Sequence, residues 1–262
     1  MKFAAATALP ATVLAACGGS GDGGTAIEGG RDTDSISSGI TGTSYLLSVY
    51  VPPASAGPRD GMPVVYVLDG ESWFETLVGI VESTRTRLII VALHTSGQRS
   101  RDFVPANACT ANGGGHSAYL DFIRRELIPH VERTIGGDPG QRVLFGHSHG
   151  GSFVLYAMFS EPPDQHTFRS YLASDSSISC MPAVADEWER SYAAAHRDLP
   201  VRLNLSYASN GNNSANLIYA AAVAQRDYGR FTFRAQAYSG THSGIVPQVL
   251  ADGLAFALAD RP

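Results

Sequence analysis

Strands are predicted wherever apolar residues run without interruption or alternate with polar ones. Three runs are continuously apolar, at residues 63–69, 88–93 and 142–146, as is typical of strands buried on both faces of a sheet. Weak alternation at residues 45–51 is typical of an antiparallel edge strand. The remaining strands are predicted at residues 171–173, 201–207 and 231–238.

Between the strands, apolar residues recur at helical spacing with charged residues on the opposite face. The predicted helices cover residues 119–131, 153–159, 217–227 and 246–258. Strands that alternate with helices predict one α/β domain, with a mostly parallel central sheet flanked by helices. The length of 262 residues suits a single domain of this kind. In such a sheet, reactive residues lie in loops at the carboxyl ends of the strands.

The start of the chain resembles the leader of a bacterial lipoprotein. Lys2 precedes an apolar, alanine-rich run, residues 3–16, which is shorter than the roughly 20 residues that a membrane-spanning helix needs. Residues 14–17 (LAAC) resemble a lipobox. The resemblance implies that residues 1–16 are a signal peptide and that lipid on Cys17 anchors the protein in the cell envelope, in the periplasm or on the outer surface. The alternative is an ordinary signal peptide that happens to contain a cysteine.

Beyond Cys17 the chain becomes rich in glycine. Residues 18–31 are nearly free of apolar side chains, which is typical of a flexible segment. We therefore expect a lipidated cysteine and tether over residues 17–43 and the folded domain over residues 44–262.

Composition narrows the classes of function. Apolar residues make up 44% of the chain and charged residues 16%, as in ordinary soluble enzymes. The formal net charge of −5 gives no indication of a nucleic-acid partner.

With Cys17 lipidated, Cys109 and Cys180 remain, and export to an oxidising compartment would let them pair. The sequence leaves a disulfide and two separate thiols equally open.

Residues 146–151 (GHSHGG) match the G-x-S-x-G pattern of a nucleophile elbow. In this turn a serine sits on a strained strand-to-helix connection, and the flanking glycines let strand and helix approach without a Cβ clash. A buried strand precedes the motif and an apolar helix follows it. The sequence therefore predicts Ser148 as a nucleophile, with the backbone N–H of His149 as an oxyanion donor at the helix N-terminus. The alternative is a glycine-rich turn of another α/β protein.

The base and a second oxyanion donor are predicted from chain order. The base of such enzymes follows the last strand, where His242 stands in a loop of small residues (SGTHSG, residues 239–244). The second donor comes from the loop after an earlier central strand. Gly70 permits a tight turn there, and the amide of Glu71 follows it.

His147 and His149 also form an H-x-H pair, which can hold a metal ion. Alternation at a strand end would separate the two rings, and the sequence places no third ligand nearby. We therefore expect neither a metal nor another cofactor.

Together these residues resemble the putative-esterase family of α/β-hydrolases, which includes enterochelin esterases and esterase D-like enzymes. The resemblance runs from about residue 44 to residue 258, and it implies the α/β-hydrolase fold, with Ser148 and His242 as nucleophile and base and Glu71 in the oxyanion hole. It rests on residues 50–52 (YVP), 67–70 (VLDG), 101–105 (RDFVP), 113–115 (GGG), 126–129 (ELIP), 146–151 and His242.

The chain departs from this family at the third member of the triad. The acid is expected after the strand at residues 201–207, but the loop at residues 209–214 (SNGNNS) contains no carboxylate. Asn213 stands near the expected position, and an asparagine can orient a histidine. The sequence favours Asn213 or a Ser–His dyad over Asp175, which follows the preceding strand.

The pattern is most similar to the enterochelin-esterase-like branch, which implies an ester substrate such as an iron-bound siderophore. Ferric catecholates are anionic, so a cationic pocket is expected. Arg99 and Arg101 could provide it, although Arg101 could instead form a structural pair with Asp102. Two other functions remain open on the same fold: an acyltransferase similar to the mycolyltransferases, and a non-catalytic binding lipoprotein.

Overall fold

The computed structural model describes Met1 and residues 29–95, 97–211 and 213–259. The strands are β1 (Gly30–Ser37), β2 (Ser44–Val51), β3 (Val64–Leu68), β4 (Ile89–Leu93), β5 (Arg142–His147), β6 (Ser170–Ser174), β7 (Arg202–Asn210) and β8 (Thr232–Thr241). The helices are α1 (Gly70–Thr84), α2 (Arg99–Phe103), α3 (His116–Phe122), α4 (Ile128–Thr134), α5 (His149–Phe159), α6 (Pro182–Ala195), α7 (Asn213–Ala224) and α8 (Val246–Leu258).

The strands form one eight-stranded sheet in the order β1-β2-β4-β3-β5-β6-β7-β8. The β1–β2 and β2–β4 pairs are antiparallel, and all other neighbours are parallel. The predicted mostly parallel sheet is therefore confirmed. Residues 45–51 are antiparallel to their neighbours as predicted, but they are not the edge strand, because β2 lies between β1 and β4. Because the parallel strands all point the same way, their carboxyl ends meet at one edge of the sheet.

Helices cover both faces of the sheet, and the side chains of β3 show why the central strands are apolar throughout. Tyr66 and Leu68 belong to the core cluster that includes Phe153 of α5. Val65 and Val67 belong to a second cluster, under α1 and α8. Every residue of β3 is buried, since each face of the strand meets a helix layer.

The folded domain begins earlier than residue 44. Residues 30–37, predicted as part of the tether, form β1 and pair with β2 along its whole length. Its only large apolar side chain is that of Ile36. An exposed edge strand is held by backbone hydrogen bonds, so it needs no hydrophobic pattern and gives no such signal in the sequence. The predicted signal peptide, residues 1–16, lies outside the described residues beyond Met1, as does Cys17.

The helix predicted at residues 119–131 extends over residues 116–134 and contains one π-helical turn, Ile123–Leu127, between α3 and α4. Pro129 lies just after this turn and has no N–H to donate, so the regular hydrogen-bond pattern changes there. Among the described residues, no helix combines the length and the apolar character needed to cross a membrane.

Candidate active site

Ser148 occupies a strained turn between β5 and α5. Its backbone angles are φ 60° and ψ −121°, outside the regions that most residues adopt. A Cβ at Gly146 would lie 2.3 Å from the carbonyl oxygen of Gly150, and one at Gly151 would lie 2.7 Å from Ser176 Oγ. The flanking glycines are therefore needed for strand and helix to approach this closely. The turn presents Ser148 at the carboxyl edge of the sheet, where the sequence placed it.

His242 is held by a carboxylate. Its Nδ1 lies 2.6 Å from Asp175 Oδ2, and Asp175 is fully buried whereas the His242 side chain is 38% exposed. The second oxygen of Asp175 accepts the backbone N–H of Ala208 at 3.2 Å. A Cβ at Gly211 would lie only 2.0 Å from Asp175 Oδ2. The loop after β7 thus packs against the carboxylate, and both of its oxygens are engaged.

This pairing corrects the preference for Asn213 or a Ser–His dyad. Asp175 directly follows β6, whereas Asn213 is the first residue of α7. Strands β6 and β7 are parallel neighbours, in register at Ser174 and Ser206, so the loops that follow them leave the same edge of the sheet. A carboxylate in the loop after β6 can therefore reach the His242 ring, although the family resemblance implied an acid in the loop after β7. The signal in the sequence was an aspartate immediately after a buried strand.

A second imidazole packs against His242. The ring centroids of His147 and His242 are 4.3 Å apart, and Trp73 contacts His147 edge-on at 5.5 Å. His147 is buried, and its Nδ1 lies 3.2 Å from Ser174 Oγ. Burial, with a smaller contribution from His242, lowers the pKa of His147 to about 3. The ring is therefore neutral near pH 7, and sequence reasoning gave it no role other than in a metal pair.

His149, the other half of that pair, has different neighbours. Its ring nitrogen lies within 4.8 Å of the sulfur atoms of Cys109 and Cys180. These two cysteines form a disulfide with Cα atoms 5.2 Å apart, so the structure contains the disulfide and not two separate thiols. Because both sulfurs are bonded to each other, neither is a free thiolate for a metal ion. Burial, followed by the positive charge of Arg99, lowers the pKa of His149.

The disulfide fixes a 3-10 turn, Ser177–Cys180, against the nucleophile. Cys180 Sγ lies 3.0 Å from the carbonyl oxygen of Ser177. The Ser177 N–H donates to the carbonyl oxygen of Ser148 at 3.1 Å, and the two hydroxyl oxygens are 3.0 Å apart. Ser177 thus contacts both the backbone and the side chain of Ser148, a contact for which the sequence contained no signal.

Two helix N-termini meet beside Ser148. The turn before α1 is left-handed at Asp69 (φ 55°), and a Cβ at Gly70 would lie 2.7 Å from the backbone of Ala92. Asp69 Oδ2 lies 3.5 Å from the Cβ position of Gly150 in α5, so the two helix starts are in contact. Glu71 and His149 stand in the first turns of α1 and α5. The residues whose amides were predicted to form the oxyanion hole therefore stand at two neighbouring helix starts, and the Glu71 side chain accepts the N–H of Thr95 at 3.2 Å.

The two predicted substrate-binding arginines are both engaged in ion pairs. Arg99 binds Asp69 through Nε at 2.6 Å and Nη2 at 2.9 Å, and it also donates to the carbonyl oxygen of His147 at 3.1 Å. Arg101 pairs with the buried Asp102 at 2.7 Å and donates to Tyr45 Oη at 3.0 Å. Arg101 thus forms the structural pair with Asp102 that the sequence analysis gave as its alternative role. Both side chains are still about one-third exposed, and they share the wall of a cavity of about 510 Å³.

Comparison with known proteins identifies the family of this chain. The model of the family described as putative esterase matches residues 38–220. The chain belongs to the putative esterase family. The predicted family and the α/β-hydrolase fold are confirmed. His242 lies beyond the matched residues, so its assignment rests on the position of its loop and on the bond to Asp175.

Relatives of the chain include siderophore esterases. The ferri-bacillibactin esterase BesA of Bacillus subtilis (strain 168) is 26% identical over 243 residues, which span 79% of this chain and 82% of that protein. The siderophore triacetylfusarinine C esterase of Aspergillus fumigatus is 32% identical over 159 residues, 52% of each chain. The crystal structure of an IroE-like serine hydrolase from Shewanella oneidensis superposes with a TM-score of 0.76 at 25% identity, covering 86% of this chain and 78% of that one.

Proposed function

We propose that this protein is a serine esterase that hydrolyses an ester bond of a siderophore. The observation that carries the proposal is the buried Asp175 on Nδ1 of His242, whose ring packs against His147, the residue before Ser148 in the strained turn. A carboxylate, an imidazole and a serine hydroxyl in this order are the parts of an acyl-transfer site. The family and the siderophore esterases among its relatives support the choice of substrate.

The roles of the residues follow from this arrangement. Because Asp175 accepts from Nδ1, that nitrogen carries the proton and Nε2 is left as the basic atom. His242 Nε2 removes the proton of Ser148 Oγ as the oxygen attacks the ester carbonyl. The tetrahedral oxyanion is stabilised by the amides of Glu71 and His149 at the two helix N-termini.

The two halves of the reaction use the same groups. Collapse of the tetrahedral intermediate breaks the ester C–O bond, and His242 gives its proton to the departing alcohol oxygen. Water then attacks the acyl-enzyme while His242 takes a proton from it, and the second collapse releases the acid and returns the proton to Ser148. Each proton taken by His242 is given back within the same half-reaction.

The polar part of the substrate is assigned to the cavity of Arg99 and Arg101. Each guanidinium keeps an exposed portion on the cavity wall. Their charges are offset by Asp69 and Asp102, so the wall supplies hydrogen-bond donors more than net positive charge. This arrangement suits a chelate with oxygen ligands on its surface.

The proposal includes a lipid anchor at Cys17 and a place in the bacterial cell envelope. Its support is the lipobox-like sequence at residues 14–17 and the glycine-rich segment that follows. The disulfide between Cys109 and Cys180 is typical of exported proteins, which agrees with such a location. Intact-mass measurement of the membrane fraction tests it, and an unmodified Cys17 in the mature chain would refute the anchor.

The activity is tested with a fluorophosphonate probe and a substrate panel. We expect the probe to label the wild-type protein and not Ser148→Ala. We also expect hydrolysis of ferric siderophore esters by the wild type, reduced on the order of 10⁶-fold in Ser148→Ala. Labelling without hydrolysis of any siderophore ester would retain the serine hydrolase and reject the substrate. Absence of labelling in a folded protein would favour the non-catalytic alternative.

An acyltransferase would use the same serine and histidine but pass the acyl group to an alcohol. The panel separates the two classes when a sugar or glycerol acceptor is added. Release of free acid at an unchanged rate, without acyl product, is expected of an esterase.

A further inference from the structure

A second cavity, of about 330 Å³, opens beside the turn that contacts the nucleophile. Its wall is mostly apolar, formed by Ile178, Pro182, Ala185, Ala215, Ile218 and Tyr219. This volume is at the small end of the roughly 300–1,000 Å³ found for ligand pockets. The cavity therefore has room for one arm of an ester rather than for a whole metal chelate.

The cavity begins one residue from a direct contact of Ser148. Ser177 Oγ lies 3.0 Å from Ser148 Oγ, and Ile178, the next residue, lines the cavity. The Cys109–Cys180 disulfide holds this turn in place. The cavity wall and the contact of Ser148 Oγ therefore belong to the same short turn. The cavity of Arg99 and Arg101 is formed by a different segment, at α2.

One of the apolar side chains that line the cavity is largely exposed to water. Ile218 is 71% exposed, and its neighbour Leu217 is 52% exposed. An isolated exposed isoleucine needs no explanation, but this one continues the apolar wall of a cavity next to a candidate nucleophile. Covering it with an apolar group would remove hydrocarbon surface from water.

The charge of the cavity restricts what can enter it. Among the described residues that line it, Asp186 is the only charged one. Burial raises the pKa of Tyr219 well above its usual value, and the carboxylates of Glu189 and Asp186 raise it further. The Tyr219 phenol therefore stays neutral, and the charge that the described lining contributes is the exposed carboxylate of Asp186. A neutral arm is accepted, whereas an arm that ends in a carboxylate is repelled.

We infer that this cavity is the subsite for the acyl arm of the ester, that it accepts an uncharged aliphatic or aromatic group, and that it sets the preference for acyl length. The acyl arm is assigned here because it stays bonded to Ser148 Oγ after the alcohol has left beside His242. The inference rests on the proposed esterase function of Ser148. It adds a specificity-determining wall, made by Ala215, Ile218 and Asp186, to that function.

The test varies only the acyl group, with p-nitrophenyl acetate, butyrate and octanoate as substrates. In the wild type, we expect kcat/KM to rise by up to about fourfold for each methylene that the cavity buries. Ala215→Phe fills the cavity and should lower octanoate hydrolysis by about tenfold or more, while acetate hydrolysis stays within about twofold. Ala221→Phe makes the same change at an exposed site of α7 and should leave all three rates unaltered.

Two further variants test the cavity independently of Ala215→Phe. Ile218→Ser is on the surface, so it should fold normally and reduce only the gain from longer acyl chains. Asp186→Asn should raise kcat/KM for an ester whose acyl chain ends in a carboxylate by about threefold or more, while the neutral ester of equal length is unchanged. Glu187→Gln, on the same helix but outside the cavity lining, is its matched control.

The outcomes distinguish the two proposals. An unchanged length preference in both Ala215→Phe and Ile218→Ser, with acetate still hydrolysed, would overturn the subsite and leave the esterase intact. A length preference that depends on the alcohol part instead would assign the cavity to the leaving group and also overturn the inference. No hydrolysis of any ester, and no labelling of Ser148 by fluorophosphonate, would reject the esterase function and the subsite with it.

Discussion

Nδ1 of His242 donates to Asp175 Oδ2 across 2.6 Å, joining the loops that follow β8 and β6. The carboxylate is completely buried and the imidazole side chain is partly exposed, so the carboxylate charge is shielded from solvent while the imidazole ring remains accessible. A buried carboxylate interacts strongly with an imidazolium that forms during the reaction. From this contact we can predict how much the catalytic rate should fall when each candidate third member of the triad is replaced.

Asp175→Asn should reduce kcat on a good ester by about 10⁴-fold, because the amide neither stabilises the imidazolium nor enforces the same tautomer. Asn213→Ala should change the rate by less than about tenfold, since Asn213 stands at the start of α7 and not on the ring. Steady-state kinetics on both variants, with circular dichroism to verify folding, test this. Equal small effects would restore the Ser–His dyad that the sequence favoured.

Gly211→Ala should impair catalysis without touching any reacting group. The new Cβ would lie 2.0 Å from Asp175 Oδ2, so the carboxylate must move away from His242. We expect a fall in kcat of about tenfold or more and a smaller change in KM. Gly61→Ala is the matched control, because a Cβ there meets nothing within 4 Å. If both variants keep wild-type kinetics, the loop after β7 does not hold the carboxylate.

His147 should make the protein lose stability as the pH falls. Its pKa is about 3 in the folded state, whereas an unfolded histidine titrates near 6.5, so the unfolded chain binds the extra proton between these values. Above about pH 6.5 both states are neutral at this residue and it has no effect. From pH 6.5 to pH 5 it should lower the free energy of unfolding by about 2 kcal/mol.

His147→Gln removes this titration and provides the measurement. Urea unfolding at pH 7 and pH 5 should show a drop in the free energy of unfolding that is about 2 kcal/mol smaller in the variant than in the wild type. The comparison uses differences between two pH values, so any pH-independent cost of the substitution cancels. The same pH dependence in both proteins would show that His147 is not a buried imidazole held neutral in the folded state.

The Cys109–Cys180 disulfide should contribute about 2–5 kcal/mol to stability, because it closes a loop with a sequence separation of 71 residues. Urea unfolding of the double variant Cys109→Ser/Cys180→Ser, compared with the oxidised wild type, measures this. Reduced wild type serves as the control, since it lacks the bond but keeps both side chains. Both should unfold at similar urea concentrations, and a double variant as stable as the oxidised protein would contradict the prediction.

The sequence alone was sufficient for features that depend on neighbouring residues. The continuous apolar runs identified the central strands, because a strand buried on both faces has no polar position. The pattern around Ser148 identified the elbow, since the two glycines that it requires, Gly146 and Gly151, lie within three residues of the serine in the chain. The helix Val246–Leu258 was predicted with its observed bounds because its apolar stripe repeats over three turns.

Other features were decided only by the tertiary structure. Strand β1 is held by backbone bonds to β2, which leave no trace in side-chain pattern. The cysteine pairing depended on two loops meeting over Ser177. The choice of Asp175 over Asn213 depended on two parallel strands ending side by side, which brings the loop after either strand within reach of His242. Chain order predicts which strand a residue follows, but the distance between atoms in different loops is set by the register and packing of the whole sheet.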